Sequence, residues 1–224
     1  MTAPDGRREA EPQLDAFSVD VRDLLERSVA NLYSHLVTRP TGRAVRLAIE
    51  AQLRELSPPA LSLVDLSSVA ILDYSCADEV VAKLLLSGIG AAGAAEAGSQ
   101  VGVGRGSGGP VPGPGAVFFI FQGLRVHHRE PILEVLNRHE LAAVVRSAGA
   151  QEPFQLLGVR NSLEDEAWSL VESRGRIPGS QVSEIFSDRD QRNTVDGLVR
   201  RGLLFRHPVE GDLHALSNLA RRFE

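Results

Sequence analysis

The sequence predicts an α/β domain, a mixed sheet with helices packed on it, followed by a small α+β domain of three helices and a hairpin. Three observations predict this. Between residues 16 and 150, apolar runs of strand length alternate with segments of helical periodicity. Residues 87–115 interrupt that alternation with Gly, Ala, Ser and Pro, including GVGRGSGGPVPGPG. From residue 161 onward, three short helical patterns lead into two apolar runs separated by a Pro- and Gly-containing turn.

The 224 residues are ample to bury a core, as one large domain or two small ones. Hydrophobic content of 43% and charged content of 24% are those of an ordinary globular protein. A formal net charge of -5 argues against non-specific binding to nucleic acid or membrane surfaces. The single cysteine excludes an internal disulfide and fits a reducing compartment. No apolar run approaches a membrane span, and the opening MTAPDGRREAEPQLD lacks the apolar core of a signal peptide. A cytoplasmic location is expected.

Residues 1–15 are polar, unpatterned and expected to be a disordered tail. A first strand is expected around Phe17–Arg22 and a second within Val29–Val37. Thr38-Arg39-Pro40-Thr41-Gly42 reads as a break. A helix is expected over residues 44–56, with Val45, Ile49, Leu53 and Leu56 as its apolar stripe; Pro58-Pro59 ends it. The central stretch is Ser62 to Leu86. An apolar run, Leu61 to Val64, ends at Asp65; Ser67-Ser68 is a polar turn; Ala70-Ile71-Leu72 is a second apolar triplet. Asp73-Tyr74-Ser75 then enters a helix whose buried face is Ala77, Val80, Val81, Leu84 and Leu85. Ser75 stands where that helix should begin and is read as its cap, worth about 1 kcal/mol.

This stretch resembles the signature of the STAS domain, the fold of bacterial anti-sigma factor antagonists. The family pattern is an apolar strand, Asp-Leu-Ser-Gly, an apolar residue, then Asp-Ser-Ser-Gly opening a helix. Asp65-Leu66-Ser67-Ser68-Val69 matches the first half, and Asp73-Tyr74-Ser75-Cys76 the second at the same separation. The resemblance implies that Ser75 holds the place of the serine phosphorylated by a partner kinase. It implies a partner-binding loop of Asp73, Tyr74, Ser75, Cys76 and Asp78, and a protein partner of the anti-sigma factor or kinase-like kind. Tyr74 and Cys76 depart from the family's Ser and Gly. Cys76 reads as a small buried hydrophobe rather than a redox-sensitive thiol.

Residues 87–115 cannot bury enough apolar surface to offset the entropy of ordering, so a flexible insertion is expected. Gly102-Val103-Gly104-Arg105-Gly106 lacks the strand, helix and Lys-Ser/Thr end of a phosphate loop and reads as linker. Ala116 to Phe121 is the most strand-like run of the chain. It is apolar on both alternations, so both faces should be covered, the second by this chain or by a partner. A helix is expected over Pro131–His139 with Pro131 in its first turn. Leu141 to Val145 reads as an edge strand or a short helix-to-strand passage, and Gln151 to Arg160 as a connector. His127, His128 and His139 lack metal-ligand spacing and read as surface histidines, so no metal or cofactor is expected. The STAS resemblance covers about residues 17 to 150.

In the remainder, Ser162 reads as a helix cap followed by acids in the first turn, with Ala167, Trp168, Leu170 and Val171 inward. Helices are expected over 180–186 and 188–201, the latter with Val195, Leu198 and Val199 inward. Leu203 to Arg206 and Leu213 to Leu216 then form strand, turn, strand. Residues 161–224 in this order, with Thr194 to Leu204 ending the third helix, resemble a winged helix-turn-helix. In DNA-binding members the third helix enters the major groove and the wing touches backbone. That resemblance makes Arg189, Arg192, Asn193, Arg200, Arg201 and Arg206 candidate contacts to DNA or to a protein, with His207 at the wing. Asp188, Asp190, Asp196, Glu210 and Asp212 stand among them and oppose phosphate. No nucleophile–base pair or complete phosphate loop is visible, so an enzyme is not expected. The first functional expectation is a phosphorylation-controlled interaction module. The alternative is a DNA-binding transcription regulator with the first domain as sensor.

Overall fold

The computed structural model describes residues 15–20, 35–56, 59–88, 117–149 and 152–221. All but the last residue of the expected tail, nearly all of the 87–115 insertion and most of the expected second strand lie outside the described residues; Asp15, the last residue of that tail, opens the first strand. The fold is a mixed α/β fold with helices packed on a mixed sheet. Its centre is five strands: β1 (Asp15–Asp20), β3 (Ala60–Asp65), β5 (Val117–Leu124), β6 (Ala142–Ser147) and β7 (Phe154–Gly158), in that spatial order. The first four are parallel and β7 pairs antiparallel with β6. A separate parallel pair, β2 (His35–Leu36) with β4 (Ile71–Leu72), sits beyond the carboxyl end of β3.

The alternation of side chains along each strand sorts the apolar residues to two faces. Phe119, Phe121, Val64, Ala143, Val145 and Leu157 join one core with three helices. These are α1 (Arg39–Leu53), α2 (residues 74–88) and α3 (Val126–Arg138). Phe118, Ile120, Leu61, Leu63, Ala142, Val144, Phe154 and Leu156 join a second core with the rest of the chain. That rest comprises α4 (Ser162–Arg174), β8 (Arg176–Ile177), α5 (Gly179–Ile185), α6 (Arg189–Arg200), β9 (Leu204–Arg206), β10 (Leu213–Ala215) and α7 (Leu216–Ala220). Its strands form an antiparallel sheet in the order β8-β10-β9. The Phe118 ring meets Phe205 edge to face at 5.5 Å. The double apolar alternation of β5 is thus answered on both faces within this chain.

Several expectations are corrected. The Thr38–Gly42 segment starts α1 rather than breaking the chain: Thr38 caps it through the Thr41 N–H, and Pro40 sits in the first turn, where no donor is needed. Gly42 allows α1 and α2 to touch, since a Cβ there would lie 2.9 Å from Cys76 Cα. Strand β6 is internal, because the expected connector 151–160 contains β7, which pairs along it. Helix α3 starts at Val126, so Pro131 lies inside it. The cap of α4 is Asn161, not Ser162; Asn161 Oδ1 accepts from the Glu164 N–H, and Glu164 accepts from the Asn161 N–H. Val199 is only partly buried, whereas Val195 and Leu198 are inward as expected.

Candidate functional site

The candidate loop leaves β3 at Asp65. Asp65 Oδ1 accepts the Ser67 N–H at 2.8 Å, folding the turn, and Arg125 donates to Ser67 O at 2.8 Å from the adjoining β5–α3 corner. Gly123, at φ 70°, lies so close that a Cβ would meet Asp65 Oδ1 and the Ser67 nitrogen at 2.6 Å. The chain then pairs through β4, and the Asp73 N–H reaches Leu36 O at 2.8 Å. This bond sets where α2 begins.

Asp73, not Ser75, is the N-cap. Its extended backbone precedes the helix, and its Oδ1 accepts the Cys76 N–H at 3.0 Å. Ser75 stands inside the first turn and donates its hydroxyl to the same Oδ1 at 2.7 Å. The expectation that Ser75 is the cap is therefore corrected: Asp73 satisfies the free N–H, and Ser75 hangs on the cap. Ser75 is half-buried and Tyr74 is 45% exposed. Tyr74 donates to Glu130 at 3.1 Å, and that bond raises its phenol above the ordinary value. Val37, Ile71 and Val126 are exposed apolar residues on the segments that meet at this end of the sheet.

Cys76 and Asp78 do not share that exposure. Cys76 is fully buried, with Sγ 2.9 Å from Thr38 O, and burial pushes its thiol up to about 11. A raised thiol is a poor nucleophile. Asp78 and Glu79 enter a π-helical turn over Asp78–Ala82 that carries both carboxylates beneath the surface. Asp78 binds Arg39 at 2.7 Å and His139 Nε2 at 2.8 Å. Glu79, 2% exposed, binds Arg39 at 3.1 Å, Arg46 at 3.2 Å and Lys83. Burial raises both carboxyls, but the hydrogen bonds to these cations outweigh it and hold them below the ordinary carboxylate range. This cluster went unanticipated. The Glu79–Lys83 spacing of four residues was its one local signal, since Arg39, Arg46 and His139 come from other elements.

The three histidines part company. His128 is fully buried rather than on the surface, because α3 starts early enough to place it in the first turn. Its Nδ1 accepts the Arg125 N–H at 3.2 Å, while Nε2 faces the Val69 backbone without reaching hydrogen-bond geometry. Burial, with charge from His127 and Arg125, lowers it to about 4. His139 is the partner of Asp78, and His127 stacks edge-on to His128 at 4.4 Å. Among the described residues no group of His, Cys, Asp and Glu has the arrangement to hold a metal ion. Among them too, no helix is long and apolar enough to cross a membrane.

The six candidate contacts on α6 and beyond serve different ends. Arg192 donates to Phe186 O and Ser187 O and closes the turn before α6. Arg201 binds Glu164 at 2.6 Å and Val159 O. Arg206 binds Asp196 at 2.7 Å. Arg189, Asn193 and Arg200 remain exposed. Asp212 is buried under Arg176 and accepts the Gly179 N–H at 2.7 Å, so it ties the hairpin to α5 instead of standing at a wing tip. His207 Nδ1 accepts the Glu210 N–H and shapes the hairpin turn.

No known family model matches the chain, and no curated protein does either.

Proposed function

We propose that this chain is a non-enzymatic regulatory protein, a STAS-type interaction switch of the anti-sigma factor antagonist kind, controlled by phosphorylation of Ser75. On this reading the sheet with α1, α2 and α3 is a STAS-like domain, and α4 to α7 with the three-stranded sheet is a winged helix-like domain. The observation that carries the proposal is the hydrogen bond from Ser75 Oγ to the cap carboxylate of Asp73. Phosphorylation replaces that O–H donor with a group of about -1.5 to -2 charge. The Asp73 carboxylate then faces a like charge where it had a donor. The cap at the start of α2 weakens, and a partner lying over Tyr74, Ser75 and the exposed Val37, Ile71 and Val126 meets a new anion. The partner, an anti-sigma factor or kinase-like protein, binds the bare loop and leaves the modified one.

The alternative, a DNA-binding regulator acting through α6, has less support. Arg192, Arg201 and Arg206 already satisfy backbone carbonyls or carboxylates of this chain, which leaves Arg189, Asn193 and Arg200 beside exposed acids. A protein-docking or structural role suits that helix better.

Phosphosite mapping by mass spectrometry of the protein recovered from its native cells tests the modification. Phosphate on Ser75 is the expected result. A chain modified elsewhere, or never on Ser75 under any growth condition, sinks the proposal.

A further inference from the structure

Helices α1 and α2 present a second surface, whose lining does not include Ser75 and which is independent of any role for its hydroxyl. An open groove of about 720 Å³ is lined by Arg39, Pro40, Arg43, Ala44, Arg46 and Leu47 of α1 and by Glu79 and Lys83 of α2. Its charges are layered. The carboxylates lie underneath, Glu79 at 2% exposure and Asp78 beside it, while Arg39 and Lys83 are 51% and 38% exposed. Arg43 is exposed, and it has no ion pair among the described residues. The side facing solvent is therefore cationic on a chain whose formal net charge is -5.

Two features say what such a surface fits. Arg39, Arg43 and Arg46 succeed one another at spacings of four and three, so their guanidinium groups line one helix face at intervals of one turn. Glu79 holds Arg39 and Arg46 from below, so two of the three are already ordered and lose less freedom on binding a second anion. Between the cations the lining is Pro40, Ala44 and Leu47, and Leu47 is 43% exposed. A row of bare phosphates has no use for that apolar strip. A helix with carboxylates one turn apart and an apolar residue between them covers both.

We infer that this groove docks an acidic amphipathic helical segment of a partner protein, its carboxylates against Arg39, Arg43 and Lys83 and an apolar side chain over Leu47. Arg43 is the residue whose charge is spent only on the partner.

The test is fluorescence anisotropy of the full chain with a labelled helical peptide carrying Glu at i and i+4 and Leu between them. The controls are the same peptide with Gln for Glu and a single-stranded oligonucleotide of similar length. Expected is saturable binding of the acidic peptide that weakens between about 50 mM and about 300 mM salt, because the contacts are exposed charges. Arg43→Glu should weaken it roughly ten-fold or more by setting like charges together, while Arg43→Lys retains most of it. Leu47→Ser should weaken it without changing the salt dependence. Because Arg43 makes no ion pair within the described residues, Arg43→Lys should unfold at the same temperature as the parent. The inference is overturned if the parent does not bind the acidic peptide or binds the Gln peptide equally well. It is also overturned if Arg43→Glu binds like the parent, or if the oligonucleotide binds more tightly than the peptide.

Discussion

The two faces of the central sheet are built on different principles. The face under the carboxyl-terminal helices is closed mainly by apolar packing, with Phe118, Ile120 and Phe154 against Trp168, Leu203 and Phe205; its buried carboxylate, Asp212, is held by Arg176 and the Gly179 N–H, with His214 buried on β10. The face under α1, α2 and α3 also has an apolar floor, but it carries Asp78, Glu79, Cys76 and His128 under cover. Buried charge is costly unless paired, and proteins keep it where geometry or switching needs it. The half-buried Ser75 lies at the edge of this second face. The first face joins the two parts of the chain, and the second, besides its own apolar core, fixes the start of α2 through the Asp73 N–H bond to Leu36 O and the Asp73 cap.

The largest effect should come from opening the apolar face. Phe205→Ala removes the ring that meets Phe118 and should cost about 3–5 kcal/mol in chemical denaturation. A loss under about 1 kcal/mol would mean that the two parts scarcely support each other.

On the polar face, pH should act through His128. Its folded value of about 4 lies below the ordinary 6.5, so the unfolded chain takes up the proton first and stability falls as pH drops from 6.5 towards 4. At about 1.4 kcal/mol per pKa unit, the loss is about 3 kcal/mol. His128→Gln should flatten that slope in melts across this window. Glu79 and Asp78 are depressed, so their contribution is present above the ordinary 4.5 and 3.8 and is lost only as pH falls below those values towards their folded ones. A slope unchanged in His128→Gln would remove this histidine from the account.

Two glycines sharpen the contrast with opposite signs. Gly42→Ala drives a Cβ to 2.9 Å from the Cys76 backbone and should cost about 1–3 kcal/mol. Gly197→Ala, in α6, meets nothing nearer than an Arg200 nitrogen at 4.0 Å and should stabilise by about 0.4–1 kcal/mol. Thermal shifts of the two variants check both.

The smallest effect is on Cys76, whose thiol near 11 and full burial predict no reaction with a thiol reagent in the native state. Labelling should keep pace with unfolding in denaturant. Rapid labelling without denaturant would place Cys76 at the surface.

Much of the frame was legible in residue pattern. The uncharged run at Phe118 to Phe121 announced a strand covered on both sides, and the apolar stripe from Ala77 to Leu85 announced α2. Other features depend on long-range pairing. Asp73 and Ser75 are both competent caps two residues apart, and only the Asp73 N–H bond to Leu36 O decides between them. Strand β7 has three apolar residues in five and is made a strand by pairing with β6. Thr38-Arg39-Pro40 starts a helix as readily as it breaks one, and the packing of α1 on α2 through Gly42 decides for the start. The charge cluster was hidden because Glu79 draws its partners from two helices far apart in sequence.

The most direct test compares partner capture by the parent chain, Ser75→Ala and Ser75→Glu from native lysate, with captured proteins identified by mass spectrometry. Ser75→Ala deletes one partly exposed hydrogen bond and should cost only about 0.5–1.5 kcal/mol, so its fold is kept. The switch predicts an anti-sigma factor or kinase-like protein held by the parent and by Ser75→Ala and lost with Ser75→Glu. The same set held equally by all three, or nothing held by any, would contradict it.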